Sequence, residues 1–162
     1  MSDIPKELME KRDQIECSFV LSLYKDMSLL DDYKNIENGT DIITPDGQYY
    51  YGLLQGMAKA GFNVADAMSI HTYLEDKKTL KNGFERRGGM NTIKEITDLL
   101  NIDNLDAYHD ELIKSNLLIK LNNKGFSLIE LIVVIAIMTA ITGTAAVGIN
   151  LAFSRKNCYN NI

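Results

Sequence analysis

The chain has 162 residues and a formal net charge of −5, enough length for one ordinary domain and little more. The charge is unevenly spread: residues 1–121 hold 21 of the 22 carboxylates and 14 of the 17 Lys/Arg, whereas residues 122–162 hold one carboxylate and three basic residues. So acidic a front part gains nothing from counterion release, which argues against direct nucleic-acid binding and for protein partners.

The polar start, MSDIPKELMEKRDQ, has none of the features of a secretory signal. A first helix is predicted over about 5–25, opening at Pro5 and carrying Ile15, Phe19, Val20, Leu23 and Tyr24 at helical spacing. Cys17 falls in its apolar run and reads as a buried reduced thiol. The segment DDYKNIENGTDIIT reads as a short helical piece plus loop. Thr44 and Pro45 then form a helix start, a hydroxyl N-cap followed by proline at N1. Tyr50, Leu53, Leu54 and Met57 stripe that helix, and Gly61 ends it. Asp66 and Ser69 begin a further helix running to about Lys77. KNGFERRGG reads as a loop, Asn91 as the cap of the next helix, and Asn104 as the cap of one carrying Leu105, Tyr108 and Leu112. No stretch alternates with period two for long. Residues 1–120 therefore read as all-α, with five or six short helices around one small core.

Chemistry-bearing motifs are scarce in this part. The glycine-rich GFERRGGMN lacks the Gly-Lys-Ser/Thr ending of a Walker A loop, so Gly88 and Gly89 read as a turn before a helix. His71 and His109 stand on different predicted helices without a ligand set. Tyr49, Tyr50 and Tyr51 read as core and rim rather than as a stacking platform for bases. Asp31 and Asp32 read as a solvated helix end. No catalytic constellation, metal site or cofactor site is expected, and the chain is not expected to be an enzyme.

The order of the pieces carries more than each piece alone. Glu16 with Val20 and Leu21, then Gly61, Val64 and Asp66 (with Ala65 as one inserted residue), then Leu74, then Gly88 and Gly89, then Asn104 and Tyr108 follow one another. Over about residues 12–120 this resembles the N-terminal domain of DnaB-type replicative DNA helicases. The resemblance implies a non-catalytic helical collar that docks primase or a helicase loader, or associates with itself, in DNA replication. The ATPase motor of that family is not expected, because no Walker A loop is present.

A different pattern begins at the end of that stretch. LNNKGFSLIELIVVIAIMTAITGTAAVGINLAF resembles the N-terminus of type IV pilins and pseudopilins. The resemblance implies cutting by prepilin peptidase between Gly125 and Phe126, N-methylation of Phe126, and an assembly role for Glu130. It also implies pilin-like subunits as partners. Physical reasoning points the same way. Residues 131–153 carry no charge, and 23 residues at about 1.5 Å each reach roughly 35 Å, enough for a bilayer core. Glu130 stands at the margin of that run, where a carboxylate costs less than the roughly 3 kcal/mol of a helix centre. Thr144 and Gly148 form a small-xxx-small pair.

The expected organisation is thus a small helical bundle over 1–120, a short basic leader-like linker over 121–125, and one long hydrophobic transmembrane helix with a short tail over 126–162. It implies a single-pass inner-membrane protein with its N-terminal domain in the cytoplasm, or a cytoplasmic domain if the tail is an assembly artefact. Three accounts of the join follow. It is a replication module tethered to the membrane, a pilin-like subunit with an oversized leader, or a fusion of two unrelated genes with its junction near Leu117–Leu121.

Overall fold

A computed structural model describes residues 6–123 and 128–141. Its helices are α1 (Lys6–Leu23), α2 (Pro45–Lys59), α3 (Ala67–Leu74), α4 (Lys78–Arg86), α5 (Gly89–Thr97), α6 (Leu105–Asn123) and α7 (Leu128–Ile141). Short 3-10 turns at Met27–Asp31 and Ile102–Asn104 lead out of α1 and into α6. Among the described residues there is no strand, only an isolated bridge between Asn38 and Ile42. The all-α class expected from the sequence is the class observed.

α1 is the axis of the bundle, packed by α6, α2 and α5. Every residue from Ile15 to Leu23 is buried, so the helix has no solvent face over this stretch. That is how a central helix differs from the one-stripe helix that its spacing suggested. The polar residues caught inside are satisfied locally: Ser18 Oγ donates to the Gln14 carbonyl at 2.8 Å and Ser22 Oγ to the Ser18 carbonyl at 2.7 Å. Cys17 is buried as expected.

The helix starts follow their caps. Thr44 Oγ1 accepts from Gly47 N at 3.2 Å with Pro45 at the first helical position, and Asp66 accepts from Ser69 N at 2.8 Å. The tyrosines of α2 tie it to its neighbours. Tyr50 and Tyr51 are buried and Tyr49 is half-buried. Their hydroxyls donate to the carbonyls of Arg87 at 3.2 Å, Ile36 at 3.1 Å and Leu80 at 2.6 Å respectively.

Three local expectations fail. KNGFERRGG is largely helical, because Phe84 buries its ring and anchors α4. Its Gly83 is a packing glycine, since a Cβ there would press on the Tyr49 ring at 2.9 Å. Only Gly88 and Gly89, with φ of 87° and 60°, form the turn. Asn91 lies inside α5, whose N-cap position is Gly88. Asn104 closes the 3-10 turn before α6, and that turn is capped by Asn101, which accepts from Asp103 N at 3.1 Å.

α6 is helical through Asn123, into the stretch 121–125 read as a leader-like linker. Asn122 and Asn123 each cost at most about 0.7 kcal/mol in a helix, too little to outweigh propagation from a packed helix. Gly125 and Phe126 lie outside the described residues, as do Thr144 and Gly148. Among the described residues no helix is long and apolar enough to cross a membrane. α7 has 14 residues, about 21 Å against the roughly 30 Å of a bilayer core. The remainder of the expected span, 142–153, is outside the described residues.

Gly88 gives a direct test of the turn. Its left-handed backbone penalises any Cβ, and a Cβ there would collide with Thr92 Oγ1. Gly88→Ala is expected to lower unfolding free energy by about 1–2 kcal/mol, measured by urea titration; an unchanged midpoint would contradict the assigned turn.

Candidate functional site

The polar centre of the bundle is built on α1. Arg12 and Glu16 are both fully buried, one helical turn apart, with Arg12 Nε donating to Glu16 Oε1 at 2.6 Å. Such a pair is tolerable only if its remaining donors and acceptors are also satisfied. Arg12 Nη1 donates to the Leu112 carbonyl at 3.1 Å. Arg12 Nη2 donates to Asn116 Oδ1 at 2.6 Å and also to the Asp41 carbonyl. Asn116 Nδ2 in turn donates to Asp41 Oδ1 at 3.2 Å.

Glu16 accepts from three further donors: Ile43 N and Thr44 N, both at 2.9 Å, and Thr44 Oγ1 at 2.5 Å. A Cβ on Gly47 would run into Glu16 Oε2, so glycine is needed there for the carboxylate to fit. Arg12 and Glu16 thus join α1, the loop before α2, the cap of α2 and the second half of α6.

Beside this centre lies Asp13, 5% exposed, with Oδ1 buried and without a hydrogen-bond partner. Burial, and next the charge of Asp46, raise its pKa to about 7; the Thr44 hydroxyl opposes this and Glu16 adds to it. Asp46 itself is matched by Arg87, whose Nε lies 2.8 Å from Asp46 Oδ1. The Arg87 guanidinium also covers the Tyr49 ring at 4.3 Å from its centroid.

The residues singled out in the sequence divide into two groups. Glu16, Val20, Leu21, Asp66, Gly88, Gly89 and Tyr108 hold structural places. They are respectively the carboxylate of the buried pair, two core side chains, a helix cap whose carboxyl is held below its usual range by the Ser69 amide, a turn, and a core ring. Gly61 ends α2 with φ of 87°, Val64 is exposed, and Asn104 lies in the turn before α6. His109 packs on the rings of Tyr33 and Phe19, with centroids 5.1 and 5.9 Å away, and His71 is exposed. His71 borders a cavity of about 330 Å³ between α3, α4 and α5, whose apolar lining includes Ile70, Leu74, Phe84 and Met90. Among the described residues no group of three or more His, Cys, Asp or Glu is placed to hold a metal ion.

Arg12, Asp13, Asp41 and Asn116 were not foreseen as a unit. Arg12 and Glu16 at i, i+4, next to an apolar run, are the signal that would have shown the pair. Asn116 and Asp41 become partners only through tertiary packing.

The second region is α7. Glu130 is in its first turn and exposed. Ile129, Ile132, Val133, Ile135 and Ile137 expose between 40% and 74% of their surface. Thr139 returns its hydroxyl to the Ile135 carbonyl at 3.0 Å, so the helix presents little polarity of its own. So continuous an apolar exposure on a helix points to lipid or protein around it rather than water.

Comparison with known proteins agrees with this second region. Residues 120–146 match the family model for the prokaryotic N-terminal methylation motif. The match takes in Gly125, Phe126 and Glu130. No curated protein and no solved structure matches the chain, and the helicase domain that residues 12–120 resemble is not among the families found.

Asp13 makes stability depend on pH in a defined direction. Its folded-state pKa lies above the ordinary carboxylate value, so its contribution is fully present below about pH 4 and is lost as pH rises through about 7. Asp13→Asn keeps the neutral form at all pH values. It is expected to raise unfolding free energy at pH 8 by about 2–4 kcal/mol and to flatten the fall between about pH 4 and pH 7. Denaturant melts at several pH values test this; a parallel shift at every pH would contradict it.

Proposed function

We propose that the chain is the precursor of a pilin-like subunit. Prepilin peptidase cuts it between Gly125 and Phe126, the new Phe126 amine is methylated, and the apolar helix beginning near Leu128 anchors the product in the inner membrane. The observation that carries this reading is the methylation-motif match over 120–146, with glycine, phenylalanine, glutamate and apolar run in register. Glu130 then serves assembly: a carboxylate at the edge of an apolar helix is stabilised by the N-terminal amine of a neighbouring subunit. The bundle is a folded, non-catalytic domain on the cytoplasmic side, released by the cut.

A second reading, the replication-type interaction module, rests on the sequence resemblance over residues 12–120 alone, which no family model, curated protein or solved structure matches. On this reading the domain docks primase or a loader, or associates with itself, and α7 tethers it.

Expression of the full chain in bacterial membranes with prepilin peptidase separates the two. The expected product is a methylated Phe126–Ile162 fragment, identified by mass spectrometry and absent for Gly125→Leu. An intact chain in membranes where a control prepilin is cut, together with capture of primase, would favour the tethered module instead.

A further inference from the structure

The cavity between α3, α4 and α5 takes no part in the prepilin reading. Its apolar lining comes from all three helices: Ile70 and Leu74 of α3, Phe84 of α4 and Met90 of α5. Its volume is about 330 Å³. That is the bottom of the roughly 300–1,000 Å³ range of ligand pockets, and it suits one or two apolar side chains better than a larger molecule.

The surface around the cavity is basic in an acidic domain. Residues 77–91 hold five Lys/Arg and one carboxylate, whereas the rest of residues 1–121 holds nine and twenty. Three of the five cations are engaged within the fold. Arg87 is held by Asp46, Arg86 Nε donates to the Asn82 carbonyl at 3.3 Å, and Lys77 Nζ donates to the Tyr73 carbonyl at 2.7 Å. Lys78 and Lys81 differ: among the described residues neither forms an ion pair or a side-chain hydrogen bond. Glu85, the one carboxylate lining the cavity, does not pair with them, nor do Glu75 and Asp76 just before α4. Lys81 is half-buried and lines the cavity, and Lys78 stands one turn earlier on the same face of α4.

We infer that this cavity docks an acidic segment of a partner protein: an apolar side chain enters between α3, α4 and α5, and a flanking carboxylate meets Lys81 and Lys78. The inference rests on the folded domain and not on the prepilin reading. Charge decides between occupants. The acidic remainder of the domain repels an acidic segment everywhere but here, which fixes where and in what orientation it docks. A flat anionic lipid surface would meet that repulsion over a wider area and would leave the concave apolar space unfilled.

The test is binding of a short fluorescein-labelled peptide, Asp and Glu around a central Leu-Phe pair, to the full chain in phosphatidylcholine nanodiscs at low salt. Saturable binding by anisotropy is expected. Lys78→Glu with Lys81→Glu reverses the charge at the rim and is expected to weaken it about tenfold or more. Ala67→Trp brings a ring into the cavity from an exposed lining position and is expected to weaken it by about as much. Thermal unfolding of both variants is expected to stay close to that of wild type. A peptide with Asn and Gln for its acids, and one with Ser for the Leu-Phe pair, are expected to bind more weakly by about the same factor.

Absence of saturable binding to wild type would overturn the inference, as would equal affinity for wild type and either variant. Sedimentation showing a pair of chains that Lys78→Glu with Lys81→Glu abolishes would give the face to a second copy instead. Co-flotation of the nanodiscs with phosphatidylglycerol vesicles, lost in the lysine variant and kept in Ala67→Trp, would give it to lipid. Either result overturns the inference.

Discussion

The bundle depends on one buried ion pair. Arg12 and Glu16 have lost all contact with water. A pair in that position stabilises a fold only if its other hydrogen-bonding positions are filled. Here they are filled by parts far apart in sequence: the Asp41–Thr44 stretch ahead of α2, and Leu112 and Asn116 on α6. The loop before α2 could slide only by stripping donors from Glu16, and α6 could tilt only by stripping acceptors from Arg12. Thr44 shows the economy of the arrangement. Its hydroxyl caps α2 by accepting from Gly47 and donates to Glu16, so the start of a helix and the neutralisation of a buried charge are one event.

Other contacts extend this frame without replacing it. Lys25 closes the end of α5 by donating to the carbonyls of Thr97 and Leu100 at 2.9 and 2.6 Å, where a cation also favours the helix dipole. Arg87 bridges α4 to Asp46 at the start of α2. Asp13 stands apart as a locally unfavourable group, a carboxylate buried with neither cation nor donor on Oδ1, and it lends the fold its sensitivity to pH.

How much of this was legible in the sequence follows from the range of each interaction. The caps at Thr44 and Asp66 were legible because the cap and its amide are three residues apart. The apolar stripes of α1, α2 and α6 were legible because burial repeats with the helix turn. α4 was misread because Gly83 signals a loop locally, while its reason for being glycine is the Tyr49 ring 34 positions earlier. Asp41 and Asn116 were invisible for the same reason. Of the candidate site, the methylation motif is a linear signal, recognisable wherever it stands and matched as such. The helicase resemblance over residues 12–120 finds no counterpart among the families, curated proteins or solved structures.

The central claim is that Arg12 and Glu16 act as one unit, and a double-mutant cycle with Arg12→Leu and Glu16→Leu measures it most directly. Either single change leaves a buried charge without its partner and is expected to cost about 3–5 kcal/mol in urea unfolding. The double change removes both charges and is expected to be far milder than the sum, with a coupling energy of about 2 kcal/mol or more. Additive losses within about 0.5 kcal/mol would contradict the account, because the two side chains would then be held independently by their surroundings.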